Sequence, residues 1–266
     1  MFQLKLASCM AENSESFCQA VARFIENRVR ISTQYVTGIP WQERERLFDD
    51  GEIHILWLCG LPYVHKADMP ESAVELLAVP IPRGERYQDR PVYFSDVVVK
   101  RGRPFHSFFD LRGASWAYNE RRSHAGFNVV RAHLAEFGHV DNFFGSVVES
   151  GAHSASLEMI LSGRVDGSAI DSTVLEWLLG ERAELTEKIR VIDIIGPSPI
   201  PPWVISRQVP ARLRRDVRAL LLSMHTEPFG KAMLERARVK RFVAAEDRDY
   251  NSIRAMARKA AQVSFA

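Results

Sequence analysis

Tyr93-Phe94-Ser95-Asp96-Val97-Val98-Val99 lies inside an extended run, Val92–Lys100, and a second extended stretch follows between Ile192 and Ser206. The two stretches bracket a self-contained βαβα block. If the chain crosses between lobes at both, residues 96–195 form one lobe, and residues 1–95 with 196–266 form the other. Two crossings make a hinge, and a hinge makes a cleft that can close on a ligand. A chain of 266 residues is long enough for two such lobes of roughly 100–150 residues each.

Outward from that block the pattern repeats. Short apolar runs alternate with helical periodicity on both sides, which predicts an α/β protein with a mixed sheet flanked by helices in each lobe. Strands are expected at Gln3–Ser8, Ile31–Val36, Ile53–Leu58 and Val74–Val79, where Pro80 to Gly84 ends the run with turn residues. Inside the block, strands are expected at Ser115–Tyr118, Asn142–Glu149 and Gly167–Ile170, with helices over Gly126–Phe137, His153–Ser162 and from Ser172 onward. Arg190–Ile195 and Trp203–Ser206 are extended. Pro210–Met224, Pro228–Arg236 and Asp249–Gln262 are helical. Pro40 stands before Trp41, its natural place at a helix start.

Composition excludes several classes. A net charge of +2 is too small to indicate nucleic acid, and Arg212, Arg214, Arg215 and Arg218 read as a solvated helix face. No stretch of about 20 apolar residues exists, so nothing is expected to span a membrane. Cys9, Cys18 and Cys59 are odd in number and lack metal-site spacing, so free thiols are expected. No signal peptide is visible: the first residues already read as strand. The protein is therefore periplasmic if a signal was removed, and otherwise cytoplasmic.

The loop Asn119–His124 opens a helix through Ser123-His124-Ala125-Gly126. Such a loop offers free N–H groups, a hydroxyl and the positive end of a helix dipole, which suits an oxyanion. Gly126 lets backbone approach closely. Taken alone, Ser123 reads as a plain helix cap; its surroundings turn the reading toward an anion site. His153 opens the next helix after Glu149-Ser150-Gly151, where it can donate to an oxyanion or sit as a surface histidine.

In order and spacing these segments resemble the periplasmic phosphate/phosphite/phosphonate substrate-binding family of ABC transporters. The resemblance runs from Gly51-Glu52-Ile53 and Trp57-Leu58-Cys59-Gly60-Leu61-Pro62-Tyr63 through the Tyr93–Val99 strand, Phe108-Phe109-Asp110-Leu111-Arg112-Gly113, Trp116–Asn119 and Ser123–Phe127. It continues through Val148–His153, Gly163–Asp166 and Ala169–Ser172 to Ser198-Pro199-Ile200-Pro201-Pro202, and so covers most of the chain. It implies a two-lobed type II periplasmic-binding-protein fold with a double-crossover hinge. It implies a small anionic ligand in the interlobe cleft, a permease partner, and neither cofactor nor chemistry. A monomer is expected. By resemblance the ligand is held by Ser123, His124, Ala125, Gly126, Tyr93, His153 and Ser198, with Trp41, Tyr63 and Asp171 as further lining residues. The departures matter: the family's Ser-Thr-Ser is here Ser123-His124-Ala125, and of the acidic pair that holds an aminophosphonate one position falls at Thr173 and the other in Pro201-Pro202. Asp171 is the nearest acid left. An ammonium without its partners is costly to enclose, so 2-aminoethylphosphonate is expected to bind poorly.

No Gly-x-Ser-x-Gly elbow, phosphate-binding Walker loop or dinucleotide fingerprint is present. His54, His65, His106, His133, His139 and His225 are scattered, without metal-ligand spacing. Glu149 and Asp171 are the one acid pair to watch. Two alternatives to transport stay open: an intracellular enzyme on the same bilobal fold, like the menaquinone-pathway family, and a cytoplasmic ligand sensor.

Overall fold

A computed structural model describes residues 2–138 and 141–265. His139, one of the scattered histidines, lies outside the described residues. In chain order the strands are β1 (Leu4–Ser8), β2 (Thr33–Tyr35), β3 (Ile55–Trp57), β4 (Val74–Pro82), β5 (Val92–Lys100) and β6 (Ser115–Tyr118). They continue with β7 (Ser146–Glu149), β8 (Gly167–Asp171), β9 (Ile189–Pro199), β10 (Trp203–Ser206) and β11 (Val239–Val243). The α-helices are α1 (Glu15–Val29), α2 (Trp41–Asp49), α3 (Gly60–Ala67), α4 (Val129–Glu136) and α5 (His153–Ser162). They are followed by α6 (Ser172–Glu181), α7 (Ala211–Ser223), α8 (Pro228–Arg236) and α9 (Asn251–Ala260).

The chain divides into two compact units, residues 1–92 with 199–250 and residues 93–198 with 251–266. It therefore passes between units three times, after Val92, Ser198 and Tyr250. The sequence reading gave two passages and left everything from 196 onward in the first lobe. The C-terminal segment corrects that. Helix α9 turns Ile253 and Met256 inward, and Val263 is buried in the core of the second unit. Arg131 donates from Nε and Nη2 to the Val263 carbonyl at 2.9 and 2.6 Å. Lys259 Nζ meets Glu136 at 2.5 Å, and the Phe265 ring stands 5.2 Å from that of Phe127. Burial of these apolar groups against α4 outweighs chain proximity to the first unit.

The first unit holds a six-stranded sheet in the order β11-β4-β10-β3-β1-β2. Parallel β1, β2 and β3 are joined by helices, and β10 runs antiparallel between β3 and β4. Phe17, Trp57, Trp203 and Phe242 pack in its core, with Trp57 and Trp203 stacked at 5.4 Å. The second unit holds a five-stranded sheet in the order β7-β6-β8-β5-β9. Here β6 is parallel to β7 and β8, and β5 is antiparallel to β8. Its core gathers Val97, Val99, Phe108, Trp116, Val130 and Phe144. The two residues before Gly145, expected in a strand, instead leave the sheet: Phe144 stacks on Trp116 at 4.6 Å and Phe143 on Phe108 at 5.3 Å. Strand β7 is correspondingly short.

Candidate functional site

The geometry of the second sheet decides where its polar residues meet. Strands β6, β7 and β8 run parallel, so their carboxyl ends share one edge, and there the chain turns into helices. After β6 comes Asn119 and then Ser123, which opens a helical segment continuing through α4. After β7 come Ser150, Gly151 and His153, the first residue of α5. After β8 comes Asp171, which caps α6. The antiparallel strand β5 starts at this edge, because Ser95 is registered opposite Asp171. Three helix N-termini with their partial positive charge therefore rise from one end of the sheet.

The segment after Ser123 begins as a π-helical turn, His124–Asn128, before α4 takes over. Asn128 N–H bonds the Ser123 carbonyl five residues back at 3.0 Å. Ser123 Oγ accepts from Gly126 N–H at 3.1 Å, so Ser123 is a helix cap. Its cap engages an oxygen lone pair and leaves the hydroxyl proton, while the Gly126 N–H expected to face an anion is already bonded. A Cβ on Gly126 would stand 2.1 Å from Asn119 Oδ1 and 3.3 Å from His153 Cε1. Only glycine lets these three residues close on one another.

His124 is fully buried. Its Nδ1 lies 3.0 Å from Asn128 Nδ2, and its Nε2 lies 3.0 Å from Ser198 Oγ. The Tyr93 ring meets it edge-on at 6.5 Å. Burial alone holds the His124 imidazole down to a pKa of about 3 and that of His153 down to about 4, so both are neutral near neutrality. Asp171 is buried too, and desolvation lifts it to about 6 against the lowering hydrogen bonds from Thr173. Those bonds, from Thr173 Oγ1 at 2.7 Å and Thr173 N–H at 2.8 Å, show what this carboxylate does here: it caps α6.

Several buried polar atoms at this edge have no hydrogen-bond partner among the described residues: Ser95 Oγ, Asn119 Oδ1 and His153 Nδ1. Among the described residues, Ser198 Oγ bonds only to His124, and Ser123 Oγ only to Gly126. Buried polar groups are ordinarily paired, and here three unpaired ones stand at one end of one sheet.

The structure thus brings together Tyr93, Ser123, His124, Ala125, Gly126, His153, Asp171 and Ser198 within the second unit. Trp41 and Tyr63 belong to the first unit. Trp41 opens α2 and accepts at its carbonyl from Cys9 Sγ at 3.5 Å. Tyr63 is buried, with its hydroxyl donating to Asp247 Oδ1 at 2.8 Å and its ring 4.6 Å from that of Tyr250. Glu149 and Asp171 stand in different settings. Glu149 is half exposed and accepts from the Tyr118 hydroxyl at 3.0 Å, whereas Asp171 is buried. Sequence reasoning missed Ser95, Asn119 and Asn128. The i, i+4 spacing of His124 and Asn128 on one helix was a legible signal.

Among solved structures the chain resembles PhnD1 of Prochlorococcus marinus in complex with methylphosphonate, with a TM-score of 0.82 and 18% identity over 98% of this chain and 99% of that one. It also resembles the binding-protein component of a phosphonate ABC transporter from Pseudomonas aeruginosa, with a TM-score of 0.82 and 14% identity over 96% and 85%. A Xanthomonas citri protein bound to ATP matches with a TM-score of 0.77 and 13% identity over 98% and 97%. These likenesses carry the type II periplasmic-binding fold. The sequence pattern described as the periplasmic substrate-binding protein of phosphonate ABC transporters matches residues 9–250, nearly the whole chain. This protein belongs to that family of ABC-transporter substrate-binding proteins.

Proposed function

We propose that the protein captures a small phosphorus oxyanion, such as phosphate, phosphite or a simple phosphonate, for delivery to an ABC permease, working in the periplasm without altering its ligand. One observation carries this reading. At the carboxyl edge of the second sheet, the hydroxyls of Ser95 and Ser123 are buried with protons that no acceptor among the described residues takes up, and the buried Ser198 hydroxyl has His124 as its one side-chain partner there. An oxyanion supplies the missing acceptors. The helix dipoles at the same edge favour its charge without a buried cation. Two of the structural relatives support the ligand class, since one carries methylphosphonate and another ATP.

The acids argue against an aminophosphonate. Asp171 is engaged by Thr173, and by the resemblance Thr173 itself falls where the family's acid would be. A thermal-shift screen with phosphate, phosphite, methylphosphonate, 2-aminoethylphosphonate, ATP, sulfonates and small carboxylates tests the reading. A true ligand at about 100 times its Kd raises stability by about 2.7 kcal/mol. The expected result is a shift with at least one simple phosphorus oxyanion and little with 2-aminoethylphosphonate. A flat response to every phosphorus oxyanion overturns the proposal.

A further inference from the structure

We propose that His124 is a positioning residue: held as the Nε2–H tautomer, it turns the Ser198 hydroxyl into a hydrogen-bond donor aimed at an unprotonated oxygen of the bound anion. The inference rests on the oxyanion reading above and deepens it.

With the Asn128 amide turned so that Nδ2 faces the ring, the chain of bonds has one self-consistent direction. Asn128 Nδ2 carries only donors, so His124 Nδ1, 3.0 Å away, is the acceptor and bears no proton. A neutral imidazole then carries its proton on Nε2. That proton points to Ser198 Oγ at 3.0 Å. Ser198 therefore accepts from His124, and its own O–H is directed elsewhere. Ser198 is only 1% exposed, and His124 is its sole hydrogen-bond partner among the described residues. The serine can no longer turn its proton back to the ring, because the ring is already a donor on that side. What meets Ser198 must be an acceptor. A deprotonated P–O oxygen, charged and rich in lone pairs, fits best; an ammonium, which has donors alone, cannot take up that proton.

The position of Asn128 makes the tautomer a product of local sequence. Residues 124 and 128 are four apart on one helical segment, within reach of each other. The π-helical turn adds an extra residue where that segment starts. Charge does not intervene, since burial is the sole cause that lowers His124.

Two measurements test the proposal on the full chain. A long-range proton–nitrogen NMR spectrum of histidine-labelled protein, recorded free and with methylphosphonate, reads the tautomer directly. The expected pattern is a bare Nδ1 and a protonated Nε2 at His124 in both states. A bare Nε2, or two protonated nitrogens, overturns the proposal. The second is a double-mutant cycle in methylphosphonate affinity. Ser198→Ala and His124→Leu are each expected to weaken binding about tenfold or more, consistent with loss of a hydrogen bond to a charged group. The two losses should not add: in the Ser198→Ala background His124→Leu should cost less than about threefold. His124→Gln, which keeps an N–H donor, should recover part of the loss. Full additivity, or normal binding by Ser198→Ala, overturns the proposal. If His124→Leu does not fold, the spectrum and Ser198→Ala still decide. Failure of every phosphorus oxyanion to bind the unaltered protein overturns both this inference and the oxyanion reading; binding with additive losses overturns this one alone.

Discussion

At the scale of single residues, the site depends on atoms whose hydrogen-bonding capacity is only partly used. Ser123 caps a helix with its oxygen and keeps its proton. Ser123→Ala should therefore weaken binding of methylphosphonate by about 1.5–3 kcal/mol and the fold by about 1 kcal/mol, measurable by titration and by melting. Normal binding would reduce Ser123 to a cap. Gly126→Ala should cost about 1–3 kcal/mol of stability, because its Cβ would meet Asn119 Oδ1 at 2.1 Å; an unchanged melting temperature would contradict that packing. The buried titrating groups give a pH dependence with a definite sign. His124 and His153 have folded pKa values of about 3 and about 4, below the ordinary 6.5. Their neutral burial is fully tolerated above about pH 6.5 and is penalised as pH falls toward those values, when the unfolded chain takes up protons first. Asp171, raised to about 6 from 3.8, acts in the opposite sense: its contribution grows as pH falls through that window. Two histidines outweigh one carboxyl, so the site's groups should lower the melting temperature between about pH 6.5 and about pH 4, and His124→Gln should soften that fall. The sequence made Ser123, Gly126 and His153 visible through their places at loop–helix junctions. It did not reveal Ser95 or Asn119, because a polar residue at a strand end shows no sign of being left unpaired until its neighbours are placed.

At the scale of elements, the strands with clean apolar runs were legible and those with prolines were not. Strand β4 runs on through Pro80 and Pro82, where turn residues suggested a stop. Its partner there is the edge strand β11, with Phe242 opposite Pro80 and Val239 opposite Pro82. A proline is tolerated where its missing N–H faces no ladder partner. Strand β9 likewise extends through Gly196-Pro197-Ser198-Pro199 at the edge of the second sheet, which turns an apparent loop into the strand that presents Ser198. Helix α3 has no counterpart among the helices expected from the sequence; Gly60 and Pro62 both sit in its first turn, where proline costs little. Helix α9 was recognised, but nothing in its amphipathic pattern says which unit its apolar face covers. Removing residues 251–266 takes away Ile253, Met256, Val263 and Phe265 from the second unit. At roughly 1.5–3 kcal/mol for each fully buried large side chain, the truncated protein should melt well below the full chain or fail to fold. A melting temperature that does not move would contradict the packing of this segment on α4.

At the scale of the whole molecule, the α/β class and the family were readable from order and spacing, because the strand–loop–helix punctuation that makes the binding edge is local. The third passage of the chain between units was not, because it is fixed by distant packing around Val263 and Phe265. The proposed site differs from a salt-bridged one: hydroxyls, neutral imidazole and helix N-termini would face the anion, so affinity should depend weakly on ionic strength. A fall of methylphosphonate affinity in salt as steep as that of an exposed ion pair would contradict this. The central claim is that uncommitted donors at the carboxyl edge of the second sheet hold a phosphorus oxyanion. Calorimetric titration of the full-length protein with methylphosphonate tests it most directly. The account predicts saturable one-to-one binding that Ser123→Ala and Ser198→Ala each weaken about tenfold or more. No measurable binding, or binding that both variants leave intact, would contradict it.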